Sequence, residues 1–187
     1  MATTAIVIPM EAAERAVAPW RLLHTADGAD GMPAHVTLIH PFIDEALLLP
    51  DHVDELHAAV EPFAPFVIEL RGFGRFEGPP PVLYLAPTPP EPILAMIDAI
   101  VQRFPHHPPF GGAHDHVIPH LTIASTAEPG ALGRVERAVT EHLPIIAAVD
   151  AVWIVRHDLL QGWQTMHRIE LGRQRRGATR SSEPAPR

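Results

Sequence analysis

The sequence predicts an α+β domain of two related lobes, and three observations predict it. Helical and strand-like segments are mixed along the chain, and their order in the first half recurs in the second. Each half contains one conspicuous strand bearing a His-x-Thr pattern. Hydrophobic residues make up 47% of the 187 residues, enough for a sizeable core. A cleft shared between the two lobes is the natural place for a site.

Ala5-Ile6-Val7-Ile8 reads as a strand closed by Pro9. Glu11 to Leu23 has helical spacing, with Ala16, Val17, Trp20 and Leu23 on one face and Pro19 as a break or reset. Thr25 to Pro33 is a Gly/Asp turn region, and Ala34 to Ile43 is a strand. Asp51 to Phe63 is a helix that turns Val53, Leu56, Val60 and Phe63 inward. Strands follow at Phe66 to Leu70 and Val82 to Leu85, joined by a Gly/Pro-rich connection from Gly72 to Pro81. The second half offers a helix from Glu91 to Phe104, a loop dense in Pro, Gly and His from Pro105 to Asp115, and a strand from Val117 to Ala124. It continues with a helix from Ala131 to Leu143 and strands at Ala147 to Val155 and Met166 to Leu171. The expected organisation is a single bilobal domain over residues 1–172, with intertwined lobes. An Arg-rich tail without apolar periodicity, expected to be disordered, occupies residues 173–187.

Composition excludes several functions. The net charge is −8, all 14 basic residues are Arg, and five of them lie in the tail. Residues 1–172 therefore carry 9 Arg against 21 acidic side chains, a poor match to the phosphates of a long duplex. Zero Cys rules out disulfides, thiolate metal sites and a cysteine nucleophile. No apolar run approaches the roughly 18–20 residues of a membrane span, and residues 1–9 lack the pattern of a signal peptide. The expectation is a soluble cytoplasmic monomer.

The chemistry lies in two tetrads, His35-Val36-Thr37-Leu38 and His120-Leu121-Thr122-Ile123. No other histidine of the 13 is followed two positions later by Thr. Chance predicts roughly a few hundredths of such tetrads per chain once both remaining positions must be aliphatic. Side chains alternate across a strand, so His35 and Thr37 share one face while Val36 and Leu38 take the other. The same holds for His120 and Thr122. If the lobes pair about a pseudo-twofold, two imidazoles and two hydroxyls converge. A neutral imidazole can take a proton from an attacking water, and a protonated one can give a proton to a leaving alkoxide. The Thr hydroxyls can hydrogen-bond non-bridging phosphate oxygens.

The paired tetrads resemble the two-histidine phosphoesterase superfamily, which includes RNA 2′,3′-cyclic phosphodiesterases and proteins named 2′-5′ RNA ligases. The stretches His35-Val-Thr-Leu-Ile-His-Pro-Phe42, Pro119-His-Leu-Thr-Ile-Ala124, Gly72-Phe-Gly-Arg-Phe76 and Val82-Leu-Tyr-Leu85 resemble the 2′-5′ RNA ligase branch. The resemblance implies two pseudo-symmetric lobes whose antiparallel sheets form a central cleft, with helices outside. It implies that His35 and His120 are catalytic and that Thr37 and Thr122 bind phosphate, with no cofactor and no metal. It further implies hydrolysis of a 2′,3′-cyclic phosphodiester on a small nucleotide or RNA terminus, with 2′-5′ ligation as the reversible transesterification in which an RNA hydroxyl takes the place of water. By that analogy His120 is the base toward water and His35 the acid, although near-symmetry leaves the two roles exchangeable. One departure stands out: related phosphodiesterases often carry Arg shortly after the second tetrad, where this chain has Ser125-Thr126.

Candidate substrate-lining residues are His40, Phe42, Phe76, Tyr84 and Phe110, where an aromatic could stack on a base. Arg75 and Arg156 are candidate phosphate contacts, and Trp163 is a candidate cleft wall. Two rival readings remain. One is a catalytically idle module that binds nucleotides or RNA ends. The other is a metal-dependent hydrolase built on His114, Asp115 and His116, with His106 and His107 nearby.

Overall fold

A computed structural model describes residues 3–113 and 116–172. His114, Asp115 and the Arg-rich tail of residues 173–187 lie outside the described residues. The chain runs β1 (Thr4–Pro9), α1 (Glu14–His24), a short α2 (Ala26–Ala29), β2 (His35–Ile39), α3 (Pro50–Val60), β3 (Phe66–Phe76) and β4 (Val82–Thr88). It continues with α4 (Glu91–Arg103), β5 (Leu121–Ser125), α5 (Ala131–Thr140), β6 (Ile145–Val149), β7 (Ala151–Asp158) and β8 (Gly162–Glu170).

The strands form two four-stranded sheets, ordered β2-β1-β7-β8 and β5-β4-β3-β6. Every pairing is antiparallel. Each tetrad strand is an edge strand of its own sheet, and β2 and β5 lie beside each other. The repeated order is therefore strand, helix, tetrad strand, helix: β1-α1-β2-α3, then β4-α4-β5-α5. The helices cross over, since α1 packs against β5 and α4 against β2. One core joins both sheets to the four longer helices, through Ile6 and Val36, Leu83 and Ile123, and Val17, Leu56, Ile97 and Val135. Strand β1 lies inside its sheet and has apolar side chains on both faces, so it reads as an unbroken apolar run. Ile6 and Ile8 enter the main core, while Ala5 and Val7 join a second cluster with Met32 and Val155 on the opposite face. Among the described residues, no helix is long and apolar enough to cross a membrane.

The structure corrects five sequence expectations about these elements. Leu23 is 69% exposed, and the buried stripe of α1 is instead Ala16, Val17 and Arg21 with Trp20 half-buried. The helix also runs through Pro19, its buried stripe being held by packing. Residues Gly72 to Phe76 are strand, not connection, so β3 is 11 residues long with a register shift between Leu70 and Gly72. The segment Ala147 to Val155 divides at Asp150 into β6 and β7, which belong to different sheets. Finally, β5 starts at Leu121, so His120 stands immediately before the strand.

Candidate active site

The tetrads are placed by ladder register. His35 lies opposite Pro9 and Thr37 opposite Val7 on β1, while Thr122 lies opposite Tyr84 on β4. The intervening residues Val36, Leu38, Leu121 and Ile123 are fully buried in the core, which fixes the faces on which His and Thr emerge. All four side chains line one cavity of about 180 Å³ between the lobes, together with Asp27, His40, Phe110 and Trp163. Its floor is the second cluster, through Ala5, Val7 and Met32.

Both imidazoles are pinned in the same way. His35 Nδ1 lies 2.8 Å from the Pro33 carbonyl, and His120 Nδ1 lies 2.7 Å from the Ile118 carbonyl. A carbonyl can only accept, so Nδ1–H donates in each case and a neutral ring keeps Nε2 bare. Burial acts on both rings. His35 is 8% exposed, and its pKa is lowered from 6.5 to about 3, first by desolvation and then by the charge of Arg21. The Pro33 hydrogen bond opposes that shift, while His120 and His40 add to it. Half-buried His120 is also lowered, again by desolvation, against the hydrogen bond to Ile118. Both rings are thus neutral near pH 7.

Aromatic rings pack around His120. Phe76 meets it edge-on at 4.8 Å between centroids, Tyr84 lies tilted at 5.4 Å, and Phe110 stacks on it at 6.2 Å. Phe76 and Tyr84 stack on each other at 4.4 Å. The Tyr84 ring occupies the place of a side chain at Gly74, where a Cβ would sit 2.2 Å from it. That close approach explains a glycine in the middle of β3. Beside His120 opens a second groove of about 480 Å³, lined by Phe76, Phe110, Val117 and Ile118, with Arg75, Glu77 and His116.

Of the candidate lining residues, His40 and Phe110 reach the cavity, and Phe76 reaches the adjoining groove. Tyr84 lines neither and backs His120 from within the sheet. Phe42 is corrected: it is 4% exposed and packs edge-on against Phe104 in the core, because the chain leaves β2 toward α4. Arg156 is bound to Glu45 and Gln164, away from the cavity, and Arg75 pairs with Glu136 at the groove. Trp163 does form a cavity wall. Among the described residues, no three His, Asp or Glu side chains are grouped to hold a metal ion.

The sequence matches the family model of the 2′-5′ RNA ligase superfamily over residues 8–160. The chain belongs to the 2′-5′ RNA ligase superfamily. No curated protein matches the sequence. Among solved structures, TT0787 of Thermus thermophilus is similar with a TM-score of 0.63 and 19% identity, covering 92% of this chain and 99% of that one. Escherichia coli LigT complexed with 3′-AMP is similar with a TM-score of 0.58 and 17% identity, covering 90% of this chain and 97% of that one. A structure described as a phosphoesterase matches with a TM-score of 0.57 and 14% identity over 92% of this chain and 100% of that one. These likenesses show the two-histidine phosphoesterase fold, and family membership makes the protein an enzyme of phosphoesterase or ligase type.

Within that family frame, sequence reasoning missed two residues at the site. Asp27 lines the cavity from α2. Arg21 lies under it, 2% exposed, with Nη1 donating to the Thr122 carbonyl at 2.6 Å. The signal for Arg21 was its place four residues after Val17, on the buried stripe of α1.

Proposed function

We propose that the protein is a metal-independent phosphoesterase that hydrolyses a 2′,3′-cyclic phosphodiester on a nucleotide or RNA end. One observation carries this reading: both imidazoles, each with Nδ1 held by a backbone carbonyl, share a single cavity with both Thr hydroxyls. His120 takes a proton from water at Nε2, and the water oxygen bonds to phosphorus. The bond from phosphorus to one ribose oxygen breaks, and His35 delivers a proton to that oxygen. Thr37 and Thr122 donate to the non-bridging oxygens. Because burial keeps His35 neutral, the ring takes up its proton from solvent as the substrate binds, the negative charge of the phosphodiester offsetting desolvation and the repulsion from Arg21.

The apolar groove beside His120 receives the nucleobase, with Phe76 and Phe110 as stacking surfaces. LigT complexes with 3′-AMP, ATP and NADP+ support a small nucleotide as the class of ligand. The test is turnover of 2′,3′-cyclic nucleotides in EDTA. Wild type turns over, and His35→Ala and His120→Ala each lose about 100-fold or more in rate. Undiminished turnover in both variants refutes the assignment. Loss of wild-type activity in EDTA points to a metal, and tight binding without turnover points to a binding module.

A further inference from the structure

Among the described residues, the buried polar side chains are Thr4, Arg21 and His35. Thr4 is accounted for by its hydrogen bond to the Ile43 carbonyl, and His35 by the chemistry above. Arg21 remains. It stands on α1, which follows β1 in one lobe and packs against β5 in the other. Its hydrogen bonds go to carbonyl oxygens. Nη1 donates to Thr122, in the second tetrad, at 2.6 Å. Nη2 donates to Met32 at 3.3 Å and Pro33 at 3.4 Å. The Pro33 carbonyl is the one that also receives the His35 Nδ1–H. A single guanidinium is therefore tied through backbone oxygens to both tetrads. Lysine, with a compact ammonium in place of a planar fork, could not reproduce these bonds in the same directions.

The charge has a second consequence. Among the described residues no Arg lines the cavity, and the position after the second tetrad holds Ser125-Thr126. Yet a phosphodiester anion needs a positive field. Glu14 and Asp27 face Arg21 electrostatically, but its hydrogen bonds go to carbonyls, and Glu14 is engaged by the Ala34 amide. We propose that Arg21 is a positioning residue of this site: its fork sets the spacing of the two His-x-Thr strands, and its fixed charge attracts the substrate phosphate from beneath the cavity.

This inference rests on the phosphodiester reading, but its first test, on Arg21→Gln, reads out without turnover. The measurements are the His35 imidazole titration by NMR and binding of inorganic phosphate by calorimetry, on folded wild type, Arg21→Gln and Arg21→Lys. The groups acting on His35 are Arg21, His120, His40 and the Pro33 carbonyl. Removing the charge in Arg21→Gln moves the His35 titration upward and weakens phosphate binding about tenfold. In Arg21→Lys the charge is kept, so titration and phosphate binding stay near wild type, while turnover of a 2′,3′-cyclic nucleotide falls about tenfold as the spacing loosens. An unmoved His35 titration in folded Arg21→Gln overturns the proposal. If that variant does not fold, wild-type turnover in Arg21→Lys overturns it. If wild type itself shows no turnover, the functional reading fails, while the titration and phosphate data still decide the role of Arg21.

Discussion

Burial of His35 as a neutral ring makes stability depend on pH, and the size of the effect follows from its environment. In the unfolded chain the imidazole titrates near 6.5, whereas in the fold it is held down to about 3. Between those values the unfolded state binds a proton that the native state does not, so stability falls as pH falls. The slope approaches about 1.4 kcal/mol per pH unit. Going from about pH 7.5 to about pH 5, His35 alone should cost about 2 kcal/mol. In urea that is a midpoint shift of about 1 M, at an m-value of about 2 kcal/mol per M. The penalty stops growing near pH 3, where the native ring also protonates. His35→Asn places a non-titrating amide at the same position, so the comparison is the pH dependence of wild type minus that of the variant. The other histidines largely cancel in this difference. A gap of about 2 kcal/mol is expected. Equal pH dependence in the two proteins would mean that His35 takes up protons freely in the fold, and the account of its environment would be wrong.

Three further outcomes follow from the same geometry. Binding of inorganic phosphate should be accompanied by proton uptake near pH 7.5, since the anion restores a proton to a ring that burial keeps neutral; calorimetry in buffers of different ionisation enthalpy reads the number directly, and zero uptake contradicts the scheme. Thr37→Val and Thr122→Val each remove one donor to a charged oxygen and should lower kcat/KM about 10- to 100-fold, from hydrogen bonds of about 1.5–3 kcal/mol; unchanged kcat/KM in either places that hydroxyl off the phosphate. Gly74→Ala puts a methyl group where the Tyr84 ring lies, so it should cost about 1–3 kcal/mol in a urea titration and displace the rings around His120; wild-type stability would mean that Tyr84 moves freely.

The tetrads were legible because strand alternation is local. Val36, Leu38, Leu121 and Ile123 announce which way His35, Thr37, His120 and Thr122 point, and the repeat announces a partner. The amphipathic helices α3, α4 and α5 were legible for the same reason: their apolar spacing describes the face that the core then covers. Phe42 was not legible. Its neighbourhood in sequence is the first tetrad, but its neighbourhood in space is Phe104, which lies 62 positions later. The extension of β3 past Gly72 was hidden because glycine signals a turn locally, whereas Gly74 is required by the ring of Tyr84 on the next strand.

By itself, then, the sequence determined the two-lobed α+β class, the faces of the tetrad strands and the residue types available for proton transfer, since all of these follow from periodicity along the chain. Only the tertiary structure decided that the two tetrads share one cavity, that both Nδ1 atoms are held by carbonyls, and that Arg21 lies beneath them. Those facts depend on contacts between α1 and β5, about a hundred residues apart, and on desolvation, which no side chain has until the fold removes its water.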